Sequence, residues 1–385
     1  MVFYFYPQIL RKKECRLCGR KSRTISSVIG VCAECLRSNP GEALKIAMRA
    51  HRESRGKYGL PPEPPRDPRG IECRLCANRC RIPPGMRGFC GLVENRNGKL
   101  TMLAGSPRGA IVEWYYDPLP TNCVADWICP GCTGRGYPKW AYTNGPEHGY
   151  YNLAVFYGAC NLDCLFCQNW QYRKMTANLN PIYSSEELAK AITPRTSCVC
   201  YFGGDPGPQL PHAIMASRAM LRRAEKYGMK IFRVCWETNG LIAPQMLDTV
   251  IELSLETGGN IKFDIKAWTP SIYKALTGVS NEQVFKNAKR IAKRIEERKD
   301  TPLFIASTLL VPGYVDVYEV EMIANFLASL NPEIPYRLLA FHPDYMLKDL
   351  PPTSKRHAEE AYKVAKKAGL ENISIGNIWI LSNYY

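Results

Sequence analysis

From about residue 151 to the end of the chain, short apolar runs alternate with amphipathic stretches. The runs "LAVFYG", "CVCYFGG", "IFRVCWE", "NIKFDIK", "LFIASTLLVP" and "YRLLAFHP" are rich in β-branched and aromatic residues, and a weaker "ISIGNIWIL" follows. Their apolarity is nearly continuous, as expected of parallel strands covered on both faces. Helices with readable starts lie between them. Ser184 and Glu187 form a capping-box pattern before "LAKAI", and Asp316 and Glu319 repeat it before an apolar face of Ile323, Phe326, Leu327 and Leu330. A last helix from about Thr353 to Gly369 carries Ala358, Ala361, Tyr362 and Ala365 on one side and ends on glycine. This alternation predicts an α/β fold, a parallel sheet with helices outside, closed into a barrel or partial barrel. In such folds chemistry collects at the carboxyl ends of the strands.

The texture before residue 151 is different. Residues 1–40 hold two cysteine pairs among basic residues, and 41–70 contain the helical stretch "GEALKIAMRAHRES" and a Pro-rich spacer, "GLPPEPPRDPRG". Residues 71–150 are rich in Cys, Gly, Pro and aromatics with few periodic runs, so metal ligands and docking are expected to hold them. The division expected is therefore 1–40, 41–70, 71–150 and a barrel over 151–385.

Composition adds two facts. The net charge of +16 suggests an anionic partner. Four metal sites of thiolates would lower it to roughly +10, and a Lys/Arg-rich thermophile-like surface explains the rest as well as nucleic acid does. Nucleic-acid binding is therefore not the expectation. No run of about 18 apolar residues is present, and "MVFYFYPQIL" is too short and aromatic for a signal peptide, so a cytoplasmic protein without a transmembrane segment is expected. In that reducing setting, 17 cysteines, 11 of them clustered within the first 132 residues, point to metal rather than to disulfides.

One cysteine group carries a reaction. "CNLDCLFCQNW" spaces Cys160, Cys164 and Cys167 as C-x3-C-x2-C, directly after the first barrel run. Three thiolates on one loop can hold three irons of a cubane and leave the fourth open to a substrate. The alternatives are a three-ligand zinc loop or plain buried thiols; the spacing, the strand context and Phe166 favour the cluster.

With these residues in view, the chain resembles a radical S-adenosylmethionine (SAM) enzyme of the group around glycyl-radical-enzyme activases. It is most similar within that group to the radical SAM component of the AmmeMemoRadiSam system. "IECRLCANRCRIPPGMRGFCGL" resembles that family's amino-terminal motif, while "CLFCQNW", "ALTGVSNE", "VPGY" and "FHPDYMLKDLPPT" resemble its barrel motifs in the same order. The resemblance implies a partial (β/α)6 barrel, a 4Fe–4S cluster, and reductive cleavage of SAM to a 5′-deoxyadenosyl radical. It also implies site residues. Gly203, Gly204 and Asp205 resemble a "GGE" motif whose backbone and acid receive the SAM amino group, with Asp in place of Glu. Glu237 in "WETNG" and Asp264 in "KFDIK" would flank the methionyl end, and Lys266 would neutralise its carboxylate. His342 matches a SAM-contacting histidine of the activases.

The remaining cysteines suggest further sites. Cys15, Cys18, Cys32 and Cys35 read C-x2-C-x13-C-x2-C, four tetrahedral thiolates for structural zinc or a rubredoxin-like iron. This cysteine-rich front resembles that of archaeal radical SAM enzymes such as tetraether synthase. Cys73, Cys76, Cys80 and Cys90 form a second four-ligand set, better suited to an auxiliary iron–sulfur cluster than to zinc. Cys123, Cys129 and Cys132 form a third group, a second auxiliary site whose last ligand is Asp126, a distant side chain or the substrate. They could instead complete the neighbouring set. Cys198, Cys200 and Cys235, inside predicted strands, read as core residues.

The expected function is thus a radical SAM enzyme that takes hydrogen from an unidentified substrate, whether small molecule, lipid or protein, with one or two auxiliary clusters. A low-potential donor such as ferredoxin or flavodoxin would supply electrons. The alternatives are an activase acting on a partner protein, a C–C bond-forming enzyme on lipid chains, and a non-enzymatic iron–sulfur electron carrier.

Overall fold

In the computed structural model, residues 11–121 and 123–385 are described. The segment "MVFYFYPQIL", weighed above as a signal peptide, lies outside them. The apolar runs pair side by side, as their patterning requires. The main-sheet strands are β1 (Ala110–Pro118), β2 (Tyr151–Tyr157), β3 (Ile182–Tyr183), β4 (Thr196–Gly203), β5 (Arg233–Thr238), β6 (Ile261–Asp264), β7 (Phe304–Leu310), β8 (Tyr336–Ala340) and β9 (Ile373–Gly376). They form one nine-stranded sheet in the order β9-β8-β7-β6-β5-β4-β2-β1-β3. Every neighbouring pair from β2 to β9 is parallel, whereas β1 runs antiparallel to β2 and β3 antiparallel to β1.

Besides a single turn at Pro130–Thr133, the helices are α1 (Ala33–Ser38), α2 (Pro40–Gly56), α3 (Tyr172–Asn178), α4 (Ser185–Ala189), α5 (Leu210–Lys226), α6 (Pro244–Thr257), α7 (Pro270–Thr277), α8 (Glu282–Ala292), α9 (Val317–Leu330) and α10 (Lys355–Lys367). Those after β4 fall between consecutive parallel strands and cover the sheet. On β4 the outward Val199 and Tyr201 are fully buried, and Tyr201 shares a hydrogen bond with Ser217 of α5 at 2.8 Å. Cys198, Cys200 and Phe202 alternate with them and face the other way. One cavity is lined from every parallel strand or the loop that follows it, from Cys160 after β2 to Asn377 after β9. Seven strands laid flat would spread these residues over roughly 29 Å, so the sheet is curled around its inner face.

Two features differ from the sequence reading. β1 lies within 71–150, where no strand was expected; its three leading residues Ala110, Ile111 and Val112 are buried, but the rest of the strand is wet and hides the pattern. At α4 the capping box forms in both directions, with Ser184 N–H donating to Glu187 at 2.7 Å. At α9 only half forms. Asp316 accepts from the Glu319 N–H, but the Glu319 carboxylate turns away to accept from the backbone N–H groups of Trp268 and Thr269, each at 2.8 Å, and from Arg37 of α1. It caps α7 and docks α1, a stronger demand on a buried carboxylate than its own helix start. No helix among the described residues is long and apolar enough to cross a membrane.

Candidate active site

The loop after β2 carries the triad. Cys160 and Cys164 are buried and Cys167 is half-buried. All three border a cavity of about 320 Å³ together with Phe166, Gly203, Gly204, Asp205, Glu237, Asp264 and Lys266. Burial raises all three thiols above their ordinary range, Cys164 to about 12 even though Lys266 opposes the shift. Such thiols stay protonated until a metal ion replaces the proton.

Several parts of the chain hold this loop. The backbone N–H groups of Asp163 and Leu165 donate to Thr277 and Leu276 at 2.8 and 3.0 Å, and that of Met346 donates to Leu165 at 2.9 Å. The "ALTGVSNE" and "FHPDYMLKDLPPT" motifs therefore act here through backbone hydrogen bonds. Within the loop, the Asp163 carboxylate is fully buried. It accepts from His51 Nδ1 at 2.9 Å, Ser54 Oγ at 2.9 Å, and Arg173 Nε and Nη2 at 3.1 and 2.6 Å. Burial raises its pKa, but the His51 bond and the Arg173 charge outweigh that and hold it well below the usual carboxylate range. His51 and Ser54 belong to α2, so a helix placed by sequence in a connecting segment clamps the triad loop.

Opposite the triad stand the ends of β4, β5 and β6. Gly203 and Gly204 tolerate no side chain: a Cβ on Gly203 would meet Tyr157 N at 2.5 Å, and one on Gly204 would meet Ala159 O at 2.2 Å. These two glycines let the β4 turn approach the backbone that leads into the triad. The buried Asp205 carboxylate accepts from Asn239 N–H at 2.7 Å, Gly207 N–H at 2.7 Å and Thr238 Oγ1 at 3.0 Å. Burial lifts its pKa to about 6, against the pull of the Asn239 and Gly207 amides. Its oxygens thus fasten β5 to β4 as well as lining the cavity. Asp264 and Lys266 form an ion pair, with Lys266 Nζ 5.6 Å from the Phe166 ring centre. Burial lowers the Lys266 pKa, but Asp264 and Cys164 raise it further, and the net direction is up. Asp264 Oδ1 is buried with no hydrogen-bond partner. His342 is not among the residues lining the cavity; its Nδ1 faces Asp344 at 3.1 Å.

Outside the cavity, the cysteine sets differ in how tightly they gather. Cys15 and Cys35 approach to 3.7 Å between sulfurs, and Cys18 and Cys32 to 3.8 Å. Four thiolates about 2.3 Å from one tetrahedral ion have sulfurs about 3.8 Å apart, so this set has the dimensions of a single-ion site. It is the one group of three or more Cys, His, Asp or Glu among the described residues whose ligand atoms all lie within 4.8 Å of each other. Although burial raises Cys15, the amides of Cys18, Cys32 and Leu17 bring its thiol down to about 6. Cys73, Cys76, Cys80 and Cys90 are all buried and more widely spread, and burial first, then the nearness of the other three sulfurs, raises Cys76. They sit beside the triad: Asn78 donates to the carbonyl of Asn161, the residue after Cys160, at 2.7 Å.

Cys123, Cys129 and Cys132 do not join that set. Cys132 packs with Cys198 of the barrel wall, and Asp126, one option for a last ligand, is paired with Arg337 at 2.7 Å. Sequence reasoning also missed Asn239 and Asn161. Asn239 Nδ2 donates to Asn161 Oδ1 at 2.7 Å and points at Cys160 Sγ at 3.8 Å. The one available signal was the Asn that follows Thr in "WETNG". The Asp163 clamp gave no sign, because its two partners on α2, His51 and Ser54, lie more than 100 residues away.

Sequence comparison with known proteins agrees with this geometry. Residues 154–327 match the radical SAM superfamily. The uncharacterized protein MJ0808 of Methanocaldococcus jannaschii is 28% identical over 319 residues, covering 81% of this chain and 83% of that protein. The pyruvate formate-lyase 1-activating enzyme of Escherichia coli K12 is 25% identical over 233 residues, 56% of this chain and 88% of the enzyme. Among solved structures, a domain of pyruvate-formate lyase-activating enzyme from Bacteroides vulgatus is 24% identical with a TM-score of 0.37, covering 46% of this chain and 98% of that domain. The sheet built from β2 to β7, the three-cysteine loop at its mouth and the family match together identify residues 154–327 as a radical SAM domain.

Proposed function

We propose that the chain is an enzyme that cleaves SAM reductively at a 4Fe–4S cluster held by Cys160, Cys164 and Cys167 and takes hydrogen from a substrate bound at the same barrel mouth. The observation that carries this reading is the single cavity shared by the triad and by Gly203, Gly204, Glu237, Asp264 and Lys266. When bound, the cluster supplies one low-potential electron through an iron left open to SAM. The chain's own residues do the rest. The buried Asp264 Oδ1, which has no donor, suits the SAM amino group, and Lys266 suits its carboxylate. Gly203 and Gly204 bring backbone within reach of the ligand, and Asp205 fixes the β4 and β5 ends against each other. Phe166 and the buried walls keep water from the reacting carbon.

The Cys73–Cys90 set suits an auxiliary cluster that passes electrons to the triad, fed by a ferredoxin- or flavodoxin-like donor. Its support is the wide four-thiol spacing and the Asn78 bond to the triad loop. The N-terminal set suits one structural zinc or iron ion. Activation of a partner protein is the second reading, favoured by the activating enzymes among the relatives. The auxiliary thiols favour a dedicated substrate transformation over it.

Anaerobic reduction of the reconstituted protein with SAM should release 5′-deoxyadenosine, and Cys164→Ala should abolish it. Equal output from the two proteins would refute the assignment. Recovery of a glycyl radical on a co-expressed protein would move the reading to the activase.

A further inference from the structure

Six thiols meet inside the barrel below the cavity, and the proposed function uses none of them. Cys198 and Cys200 on β4 and Cys235 on β5 share the inward face, with Cys200 in register with Cys235. From the opposite side, the loop 123–132 enters the lumen. Cys132 packs with Cys198, Cys129 lies against the same patch, and Cys123 reaches the cavity lining itself. The N-terminal mouth beneath them is closed by the buried pair of Arg233 and Glu147, bonded twice at 2.8 and 2.6 Å.

Two observations set these cysteines apart from ordinary core residues. Val199, Tyr201, Val234 and Trp236, which alternate with them, are at 0% exposure, while Cys198, Cys200 and Cys235 each keep 8%, as Cys164 of the triad does. Their sulfurs therefore border lumen space that the apolar side chains do not fill. Secondly, Lys262 on β6 is buried at 3% exposure, and its ammonium donates to Cys200 Sγ at 3.0 Å and to Cys123 Sγ at 3.1 Å. Glu237, its one carboxylate partner among the described residues, is further away at 3.8 Å. A neutral thiol is a weak acceptor, and a buried ammonium needs anionic partners. Thiolates bound to metal provide them.

We infer that Cys123, Cys129 and Cys132 of the loop and Cys198, Cys200 and Cys235 of the barrel wall are the ligand pool of an iron–sulfur cluster inside the barrel, with Lys262 as its buried counter-cation. Ligands at i and i+2 of one strand stand roughly 6.6 Å apart, too far to meet on one tetrahedral ion but suited to the wider thiolates of a cubane. The missing fourth ligand of the loop group is thus supplied by the wall. Its place beneath the SAM cavity rests on the proposed function; the ligand assignment does not.

The test counts iron and acid-labile sulfide in anaerobically reconstituted full-length protein. Replacing the loop cysteines (Cys123→Ser, Cys129→Ser, Cys132→Ser) and, separately, the wall cysteines (Cys198→Ser, Cys200→Ser, Cys235→Ser) should each remove about four irons and four sulfides. All six replacements together should remove no more. A wall variant that keeps the wild-type iron, or that loses zinc instead, would overturn the inference. A second arm leaves the six thiols intact and replaces the triad and the Cys73–Cys90 set with serine. That chain should still hold about four irons while making no 5′-deoxyadenosine, and a chain without iron overturns the inference. Because the second arm has no triad, its iron count is independent of whether SAM is cleaved.

Discussion

Replacing Asp163 with alanine tests the clamp on the triad loop most directly. The substitution leaves the Arg173 guanidinium, itself at 0% exposure, without its carboxylate, and removes the acceptor of buried His51 and Ser54. Stranding one partner of a buried ion pair costs about 3–5 kcal/mol. At about 1.4 kcal/mol per factor of ten, the unfolding constant rises by roughly two to four powers of ten. The sign with pH follows from the depressed folded pKa of Asp163. Its stabilisation is present above its unfolded pKa of about 3.9 and is lost as pH falls towards its folded value. Urea unfolding of the apo chain under argon should therefore show a constant gap between wild type and Asp163→Ala from pH 8 to 5, narrowing below about pH 4. Arg173→Met added to Asp163→Leu should recover part of the loss, because two apolar groups strand no charge. A gap at pH 7 within about 0.5 kcal/mol of zero, the range of an ordinary surface substitution, would refute the clamp.

Two further outcomes follow from geometry. Gly204→Ala drives a methyl to within 2.2 Å of the Ala159 carbonyl oxygen, so it should cost about 1–3 kcal/mol and weaken SAM binding, read as a reduced SAM-induced change in the cluster's EPR signal; an unchanged titration speaks against the tight β4 turn. Removing the ion from the Cys15–Cys35 site with a chelator, or by Cys35→Ser, should accelerate amide exchange across residues 15–36 by roughly a hundredfold, about 3 kcal/mol of opening energy, while β5 and β6 stay protected. Equal exchange before and after metal removal would show that the module needs no ion.

Much of the barrel was legible because local physics dictates it. Runs such as "LAVFYG" and "NIKFDIK" can only be buried strands, and each pairs where its apolarity predicts. The triad was legible because its three cysteines lie on one loop, so spacing alone carries the geometry. The N-terminal set was legible for the same reason, and the structure brings its sulfurs to 3.7 and 3.8 Å. Strand β1, next to the edge of the sheet, was not, because most of its length is wet and lacks the apolar signal.

What only tertiary structure decided are the contacts between residues far apart in the chain. Asp163 meets His51 across 112 residues, and Lys262 meets Cys123 across 139. Neither pair leaves a periodic or spaced trace, because a side chain's partner across a barrel is set by strand register and curl, not by neighbours in sequence. The inward cysteines show the limit most clearly. Read along β4, Cys198 and Cys200 look like small hydrophobes filling a core. Only when the curled sheet turns their face towards the lumen, and the loop 123–132 enters opposite, do they become candidate ligands. The chain's amino acids determine that it has a barrel and a three-cysteine loop at its mouth; the closing of that barrel decides what the loop stands next to.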